Sequence, residues 1–150
     1  MGKKILYIDM DNVLVDFKSG IACLDESGQK QYAGHLDDVP GIFAYMEPIK
    51  GAVESFEELS RLYDTYVLST APWDNPSAWA DKVRWIQRYL GESGYKRLIL
   101  SHHKNLCKGD YLVDDRSKNG AGDFDGELIL FASTLFPDWA AVREYLRYWA

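Results

Sequence analysis

Short, unbroken apolar runs alternate along the chain with longer segments whose apolar residues recur every three or four positions. The short runs predict strands, because a run without polar alternation is typical of a strand buried on both faces. We place these strands at about 4–9, 65–69, 97–100, 111–113 and 128–131. The longer segments predict helices at about 52–63, from 75 to 90, and after Pro137. Strands that alternate with helices indicate an α/β fold with a parallel sheet and right-handed crossovers.

The middle helix has the clearest boundaries of the three. Asn75 and Pro76 are residues typical of a helix cap and of a first helical turn. The residues expected to face the core are Trp79, Val83, Ile86 and Leu90, together with Trp85.

Residues 18–47 differ in character from the rest of the chain. They are rich in Gly, Asp and Gln, with scattered aromatic residues and no sustained period. Thirty residues are too many for a plain loop in a compact domain, so we expect a small, partly helical insert. The length of 150 residues predicts one domain, 1–150, which contains this insert.

Two carboxylates, Asp9 and Asp11, follow the first predicted strand directly. The carboxyl end of a central parallel strand is the usual position of a ligand crevice in an open α/β sheet. Nearby carboxylates repel each other unless a cation neutralises them or one of them holds a proton. The pair therefore suits a nucleophile or metal ligand beside an acid–base group, although a solvated loop is the alternative for this short pattern alone.

The composition favours a globular protein and disfavours proteins that bind duplex nucleic acid or span a membrane. Hydrophobic residues make up 47% and aromatic residues 14%, which favours a packed globule. A net charge of −6 disfavours binding to duplex nucleic acid, which needs a basic face. The chain has no signal-peptide pattern and no apolar stretch near the roughly 20 residues that span a membrane. Cys23 and Cys107 are too few for a disulfide framework, so we expect a cytoplasmic protein.

The first apolar run and its acids resemble the first motif of the haloacid dehalogenase (HAD) superfamily of phosphohydrolases. The longer string from Asp9 to Phe17 is closer still to the 5'(3')-deoxyribonucleotidase family within it. That family usually has Gly where this chain has Asn12, a residue that tolerates left-handed backbone. The resemblance implies a Rossmann-like three-layer sandwich in which 18–47 forms a cap about half the size usual in the family.

The resemblance also assigns roles to residues at four strand ends. It implies Asp9 as nucleophile, Asp11 as acid and base, and Thr70 and Lys104 as phosphate-binding groups. It implies Mg²⁺ as cofactor, held by Asp9, Asp11, Asp114 and Asp115. Asp11 is expected to bind the metal through its backbone carbonyl. The resemblance leaves open which of Asp114 and Asp115 contacts the metal directly. Lys108 is the competitor of Lys104, but it precedes the fourth strand at its opposite end. Phe17 and Trp73 are the aromatic residues expected to bind the nucleobase, and Phe43 or Tyr45 could add to them.

The predicted activity is Mg²⁺-dependent hydrolysis of nucleoside 5'-monophosphates, especially deoxyribonucleotides, through an aspartyl-phosphate. A HAD phosphatase for another small ester, such as a sugar phosphate, is the nearest alternative. A non-catalytic phosphate-binding module is a weaker one, because a decayed site usually loses one of its groups. A zinc site at His102, His103 and Cys107 is disfavoured, since their spacing matches no standard tetrahedral set. The oligomeric state stays open, with a homodimer as one alternative.

Overall fold

A five-stranded parallel sheet forms the centre of the computed structural model, which describes residues 2–150. In chain order the strands are β1 (Ile5–Ile8), β2 (Val15–Asp16), β3 (Glu47–Pro48), β4 (Asp64–Ser69), β5 (Leu98–Leu100), β6 (Tyr111–Asp114) and β7 (Glu127–Leu130). The helices are α1 (Phe17–Ile21), α2 (Glu26–Gln31), α3 (Ala52–Leu62), α4 (Pro76–Tyr89), α5 (Gly91–Gly94) and α6 (Trp139–Trp149). The sheet has the order β5-β4-β1-β6-β7, and every neighbouring pair in it is parallel. The predicted α/β fold class with a parallel sheet is confirmed.

Strand β1 lies in the middle of the sheet, and its side chains point alternately to two apolar layers. Leu6 and Ile8 are fully buried in the larger core cluster, which also takes the buried residues of α3, α4 and α6. Tyr7 packs on the other side in a smaller cluster that includes Phe124. This alternation is the two-residue period of a strand, and it explains why a continuous apolar run was required at this position.

Helix α4 and its end bury most, but not all, of the residues predicted for the core face. Ile86 and Leu90 are buried as expected, but Val83 is 42% exposed, and the side chain of Lys82 is fully buried in its place. The assignment of Val83 to the core was therefore wrong. The reason is that α4 packs against the insert as well as the sheet, and the indole of Trp85 donates to the carbonyl of Met46 in the insert at 3.0 Å.

Residues 18–47 fold into short helices that lie beside α4. They contain most of α1, all of α2, and 3₁₀ helices at Leu36–Asp38 and Ile42–Tyr45. Strands β2 and β3 pair antiparallel at the two ends of this segment. The side-chain amide of Asn75 donates to the carbonyls of Asp37 and Val39, at 2.9 Å each. These bonds hold the segment against the start of α4.

Helices α3 and α6 are joined by a carboxylate that two arginines share. Glu58 of α3 accepts from Nε of Arg143 at 2.6 Å and from Nη2 of Arg147 at 2.9 Å. Hydrogen bonds from Arg147 lower the pKa of Glu58, and those from Arg143 add to this effect. Burial acts in the opposite direction, but the pKa still falls to about 2. No helix of residues 2–150 is long and apolar enough to cross a membrane.

The hydrogen bonds that Arg143 and Arg147 donate to Glu58 make the free energy of unfolding depend on pH. Because the pKa of Glu58 is lower in the folded state, its stabilisation is complete above the ordinary carboxyl value of 4.5 and is lost as the pH falls towards 2. We expect Glu58→Gln to lower the free energy of unfolding at pH 7 by about 1 kcal/mol, allowing for solvent screening of the arginines. Urea unfolding of both proteins should show this difference shrinking at pH 3. A difference that stays constant with pH would contradict the electrostatic origin.

Candidate active site

Four strand-end segments meet at the carboxyl edge of the sheet. Strands β5, β4, β1 and β6 are consecutive parallel strands of the sheet, so their carboxyl ends lie side by side. A narrow cleft at this edge is lined by Asp9, Asp11, Thr70, Lys104, Asp114, Arg116, Lys118 and Asn119. Five of the predicted site residues therefore share one cleft. Arg116, Lys118 and Asn119 were not predicted as site residues, although they follow the acidic strand end within five positions.

Lys104 joins the two buried acids of the cleft. Its Nζ donates to Oδ1 of Asp9 at 3.0 Å and to Oδ2 of Asp114 at 2.6 Å. All three side chains are nearly inaccessible to solvent. Ion pairs without water are weakly screened, so these contacts fix the three groups tightly relative to one another.

The charges of this cluster are not balanced by Lys104 alone. Burial raises the pKa of Asp9 well above its usual range; Lys104 opposes this, whereas the charges of Asp114 and Asp11 add to it. Burial by itself lowers the pKa of Lys104, but the two carboxylates outweigh it and the pKa lies above its ordinary value. Lys104 therefore stays protonated, and the cluster retains an excess of carboxylates that favours a further cation.

The backbone around Lys104 is held by a neighbouring loop. Lys104 opens a 3₁₀ helix, and its backbone N–H donates to the carbonyl of Asn119 at 2.8 Å. Gly120 follows with a φ of 84°, and a Cβ there would lie 2.9 Å from the backbone nitrogen of Lys104. This close approach explains a glycine at position 120. Lys108, the competing lysine, is exposed and does not line the cleft.

Asp11 has its own buried lysine, which the sequence analysis missed. Nζ of Lys82 donates to Oδ1 of Asp11 at 3.1 Å and to Oγ of Ser69 at 2.9 Å. The two acids of the first motif are thus neutralised separately, Asp9 by Lys104 and Asp11 by Lys82. The spacing along the helix could have indicated that Lys82 is buried. Lys82 lies four residues after Ala78 and three before Trp85, so the three residues share one face, and both neighbours are buried.

The turn after Asp11 holds its position through backbone bonds. The carbonyl of Met10 accepts from the N–H groups of Val13, Leu14 and Val15 at 2.9–3.1 Å. Asn12 has a φ of 62°, the left-handed conformation expected for the residue that replaces the usual Gly. The loop is braced from α6, because the indole of Trp139 donates to the carbonyl of Val13 at 2.7 Å.

Thr70 lies in the cleft, but its hydroxyl is already engaged. Oγ1 donates to the carbonyl of Ser101 at 2.7 Å. To donate to a bound anion, the hydroxyl would have to give up this bond, whereas it can accept without any change.

The acids at the carboxyl ends of β1 and β6 fit a divalent cation. One oxygen from each of Asp9, Asp114 and Asp115 lies within 4.8 Å of the others. Oδ1 of Asp115 is buried without a hydrogen-bond partner among the described residues, which is costly unless a ligand satisfies it. Burial and the charge of Asp114 raise the pKa of Asp115, with Arg116 opposing them. Oxygen donors of this kind are those that hard divalent cations bind.

A second cavity, of about 350 Å³, lies beside the cleft. Its lining comprises Asp11, Asn12, Phe17, Gly34, Leu36, Asp37, Asp115 and Arg116. Phe17 is half-buried there, with its ring 5.8 Å from that of Phe43 in an edge-to-face contact. Trp73 lines neither space; it is 77% exposed, and its ring lies 6.0 Å from that of His102. Phe43 is buried and Tyr45 is exposed.

Comparison with known proteins assigns the chain to a family. Residues 23–139 match the family described as "5' nucleotidase, deoxy (Pyrimidine), cytosolic type C protein". The chain belongs to this nucleotidase family. A protein of Vibrio phage KVP40, provisionally named a 5'(3')-deoxyribonucleotidase, is 60% identical over 144 residues, which are 96% of this chain and 85% of that protein. A protein of the same provisional name from Bordetella bronchiseptica is 30% identical over 137 residues, 75% of this chain and 74% of the relative.

The fold of this nucleotidase-family member is that of HAD hydrolases. YfnB from Bacillus subtilis, a HAD hydrolase solved with magnesium bound, superimposes with a TM-score of 0.67 at 11% identity, covering 97% of this chain and 99% of that one. A haloacid dehalogenase-like hydrolase from Xanthomonas campestris gives a TM-score of 0.62 at 10% identity, covering 98% and 96%. At such identities the likeness concerns the fold.

Proposed function

We propose that the protein is a phosphomonoesterase that hydrolyses nucleoside 5'-monophosphates, deoxyribonucleotides above all, through an aspartyl-phosphate. The observation that carries the proposal is the shared cleft of Asp9, Asp11, Thr70, Lys104 and Asp114. Membership of a deoxynucleotidase family supports the choice of substrate class.

The metal of the reaction is Mg²⁺ in this proposal. Asp9, Asp114 and Asp115 would hold it through carboxylate oxygens, and Asp11 would contribute its backbone carbonyl. When bound, Mg²⁺ supplies positive charge that offsets the repulsion between the buried acids and an incoming phosphate. The unpartnered oxygen of Asp115 supports this assignment.

In the first step, a carboxylate oxygen of Asp9 attacks phosphorus and forms a new O–P bond. The bond between phosphorus and the sugar oxygen breaks, and its electron pair stays on that oxygen. Asp11 gives this oxygen a proton, so that the nucleoside leaves neutral. Lys104 and Thr70 orient the phosphoryl group, and Lys104 also offsets the charge on the oxygens.

In the second step, water hydrolyses the aspartyl-phosphate. Asp11, now a carboxylate, takes a proton from the water while the water oxygen attacks phosphorus. The bond between phosphorus and Asp9 breaks, which restores the Asp9 carboxylate and releases inorganic phosphate. Asp11 thereby ends with the proton that it held at the start.

The nucleobase lies in the second cavity in this proposal, and 18–47 acts as the cap of a single domain. Gly34, Leu36 and Asp37 of this segment line the cavity together with Phe17. An apolar ring beside polar groups suits a base, which stacks on its face and forms hydrogen bonds at its edge. Trp73 follows Thr70 by three residues, is exposed and lines neither space, so it would contact only a substrate that extends beyond the cavity.

The protein acts on small nucleotides and not on duplex nucleic acid in this proposal, and it works in the cytoplasm. The free thiols of Cys23 and Cys107 suit a reducing compartment.

A panel of monophosphates tests the proposed activity. We expect phosphate release from dUMP, dTMP and AMP with Mg²⁺, and kcat/KM for the deoxynucleotides at least about tenfold above that for sugar phosphates, since a sugar phosphate has no nucleobase to stack on Phe17. Phe17→Ala should raise KM for the nucleotides and leave KM for a sugar phosphate unchanged. If sugar phosphates are the better substrates, the substrate assignment is wrong; if no ester is hydrolysed, the enzymatic assignment is wrong.

A further inference from the structure

Lys82 is a fully buried lysine whose ammonium contacts three different segments. It lies in the middle of α4, and none of its side chain is exposed. Its Nζ is hydrogen-bonded to Asp11 and to Ser69, and it lies 4.4 Å from the centre of the Phe43 ring. A buried ammonium is costly unless it is paired, so these contacts leave Nζ little freedom to move.

Lys82 holds only one oxygen of the Asp11 carboxylate. Oδ1 accepts from Nζ, whereas Oδ2 receives no hydrogen bond from residues 2–150. The Asp11 side chain is 20% exposed and lines both the cleft and the neighbouring cavity. The ion pair therefore selects one orientation of the carboxylate and leaves its second oxygen available at the cleft.

Lys82 differs from Lys104 in what it can reach. Lys104 lines the cleft, whereas Lys82 does not. Its ammonium is therefore placed to act on a substrate through Asp11 and not by direct contact with a phosphate.

We propose that Lys82 is a positioning residue that fixes the Asp11 carboxylate for proton transfer to the leaving oxygen. The inference rests on the proposed function. Ser69, at the end of β4, and Phe43, in the insert, fix Lys82 in turn. The orientation of the Asp11 carboxylate thus depends both on the end of β4 and on the insert formed by residues 18–47.

Two substrates with different leaving groups separate this role from a structural one. When dTMP reacts, the P–O bond breaks to give a sugar oxygen that needs the proton of Asp11. When 4-nitrophenyl phosphate reacts with Asp9, the phenolate leaves with the electron pair and is stable without a proton. The value of kcat/KM reports the steps up to the transfer of phosphorus to Asp9, so the later use of Asp11 as a base does not affect it.

In Lys82→Met, which keeps the apolar stem, we expect kcat/KM for dTMP to fall about 100-fold and that for 4-nitrophenyl phosphate to fall less than about fivefold. Ser69→Ala removes one anchor of Nζ and should shift the ratio of the two values in the same direction by a smaller factor. Lys50→Met, at an exposed lysine outside the site, should leave the ratio unchanged. Thermal unfolding checks that each variant is folded.

The outcomes distinguish the inference from the proposed function. Equal losses on both substrates would show that Lys82 only supports the structure, and no loss on either would show that Asp11 needs no partner; either result overturns the inference. If Lys82→Met does not fold, Ser69→Ala serves as the test. An unchanged ratio of kcat/KM for dTMP to kcat/KM for 4-nitrophenyl phosphate in that variant overturns the inference. Wild-type protein that hydrolyses neither ester would instead refute the proposed function.

Discussion

Asp9→Asn is expected to reduce phosphate release from dTMP by at least about 10⁴-fold, because an amide cannot form the aspartyl-phosphate. The fold should be retained or slightly stabilised. Asn has the shape of Asp, and the substitution removes a buried charge whose pKa is raised by burial and by Asp114 and Asp11. Steady-state phosphate release and urea unfolding measure the two effects.

A labelled substrate tests the same variant at the level of the intermediate. Wild-type protein quenched in acid during turnover should carry covalent phosphate, whereas Asp9→Asn should carry none. Asp125→Asn, at an exposed acid that does not line the cleft, is the matched control and should behave as wild type. Turnover of Asp9→Asn near the wild-type rate would exclude Asp9 as the nucleophile.

Lys104→Met is expected to affect both activity and stability. It removes the ammonium that lies 3.0 Å from Asp9 and 2.6 Å from Asp114. We expect kcat/KM for dTMP to fall by about 10³-fold, since the transferred phosphoryl group loses a preorganised positive charge. With a chelator present, the free energy of unfolding should fall by about 3 kcal/mol, because two buried carboxylates lose their partner.

Magnesium should restore part of that stability. A cation bound to the folded state alone stabilises it, and its affinity should be higher where the competing ammonium is absent. The increase in unfolding free energy between chelator and Mg²⁺ should therefore be larger in Lys104→Met than in wild type. Lys108→Met, at an exposed lysine four residues further on, serves as the control and should resemble wild type in every measurement. If Mg²⁺ stabilises neither protein, the acids do not form a metal site.

The strands and their acidic ends were predictable because they depend on local sequence. A buried strand needs a continuous apolar run, and such runs occur at 5–8 and 111–113 with Asp9 and Asp114 following directly. Parallel strands then bring their carboxyl ends to one edge, so the convergence of Asp9, Thr70 and Asp114 follows from the alternation of strands and helices. The resemblance to a known family added the choice of Lys104 over Lys108.

The buried face of α4 could be predicted only in part. Hydrophobicity favoured Val83 for the core and gave no indication that Lys82 is buried, because a helical period reports only which residues share a face. The structure exposes Val83 and buries Lys82, since the insert packs against this helix and Asp11 provides a partner for the ammonium.

The sequence by itself determined the class of the fold, the order of the strands along the chain and the acids that end them, because these features depend on near neighbours. Only the tertiary structure decided how the acids are neutralised. Asp11 pairs with a lysine 71 residues away and Asp9 with one 95 residues away. The local pattern around a lysine does not reveal whether a carboxylate from a distant strand end will meet it, and burial makes that pairing strong enough to fix both groups.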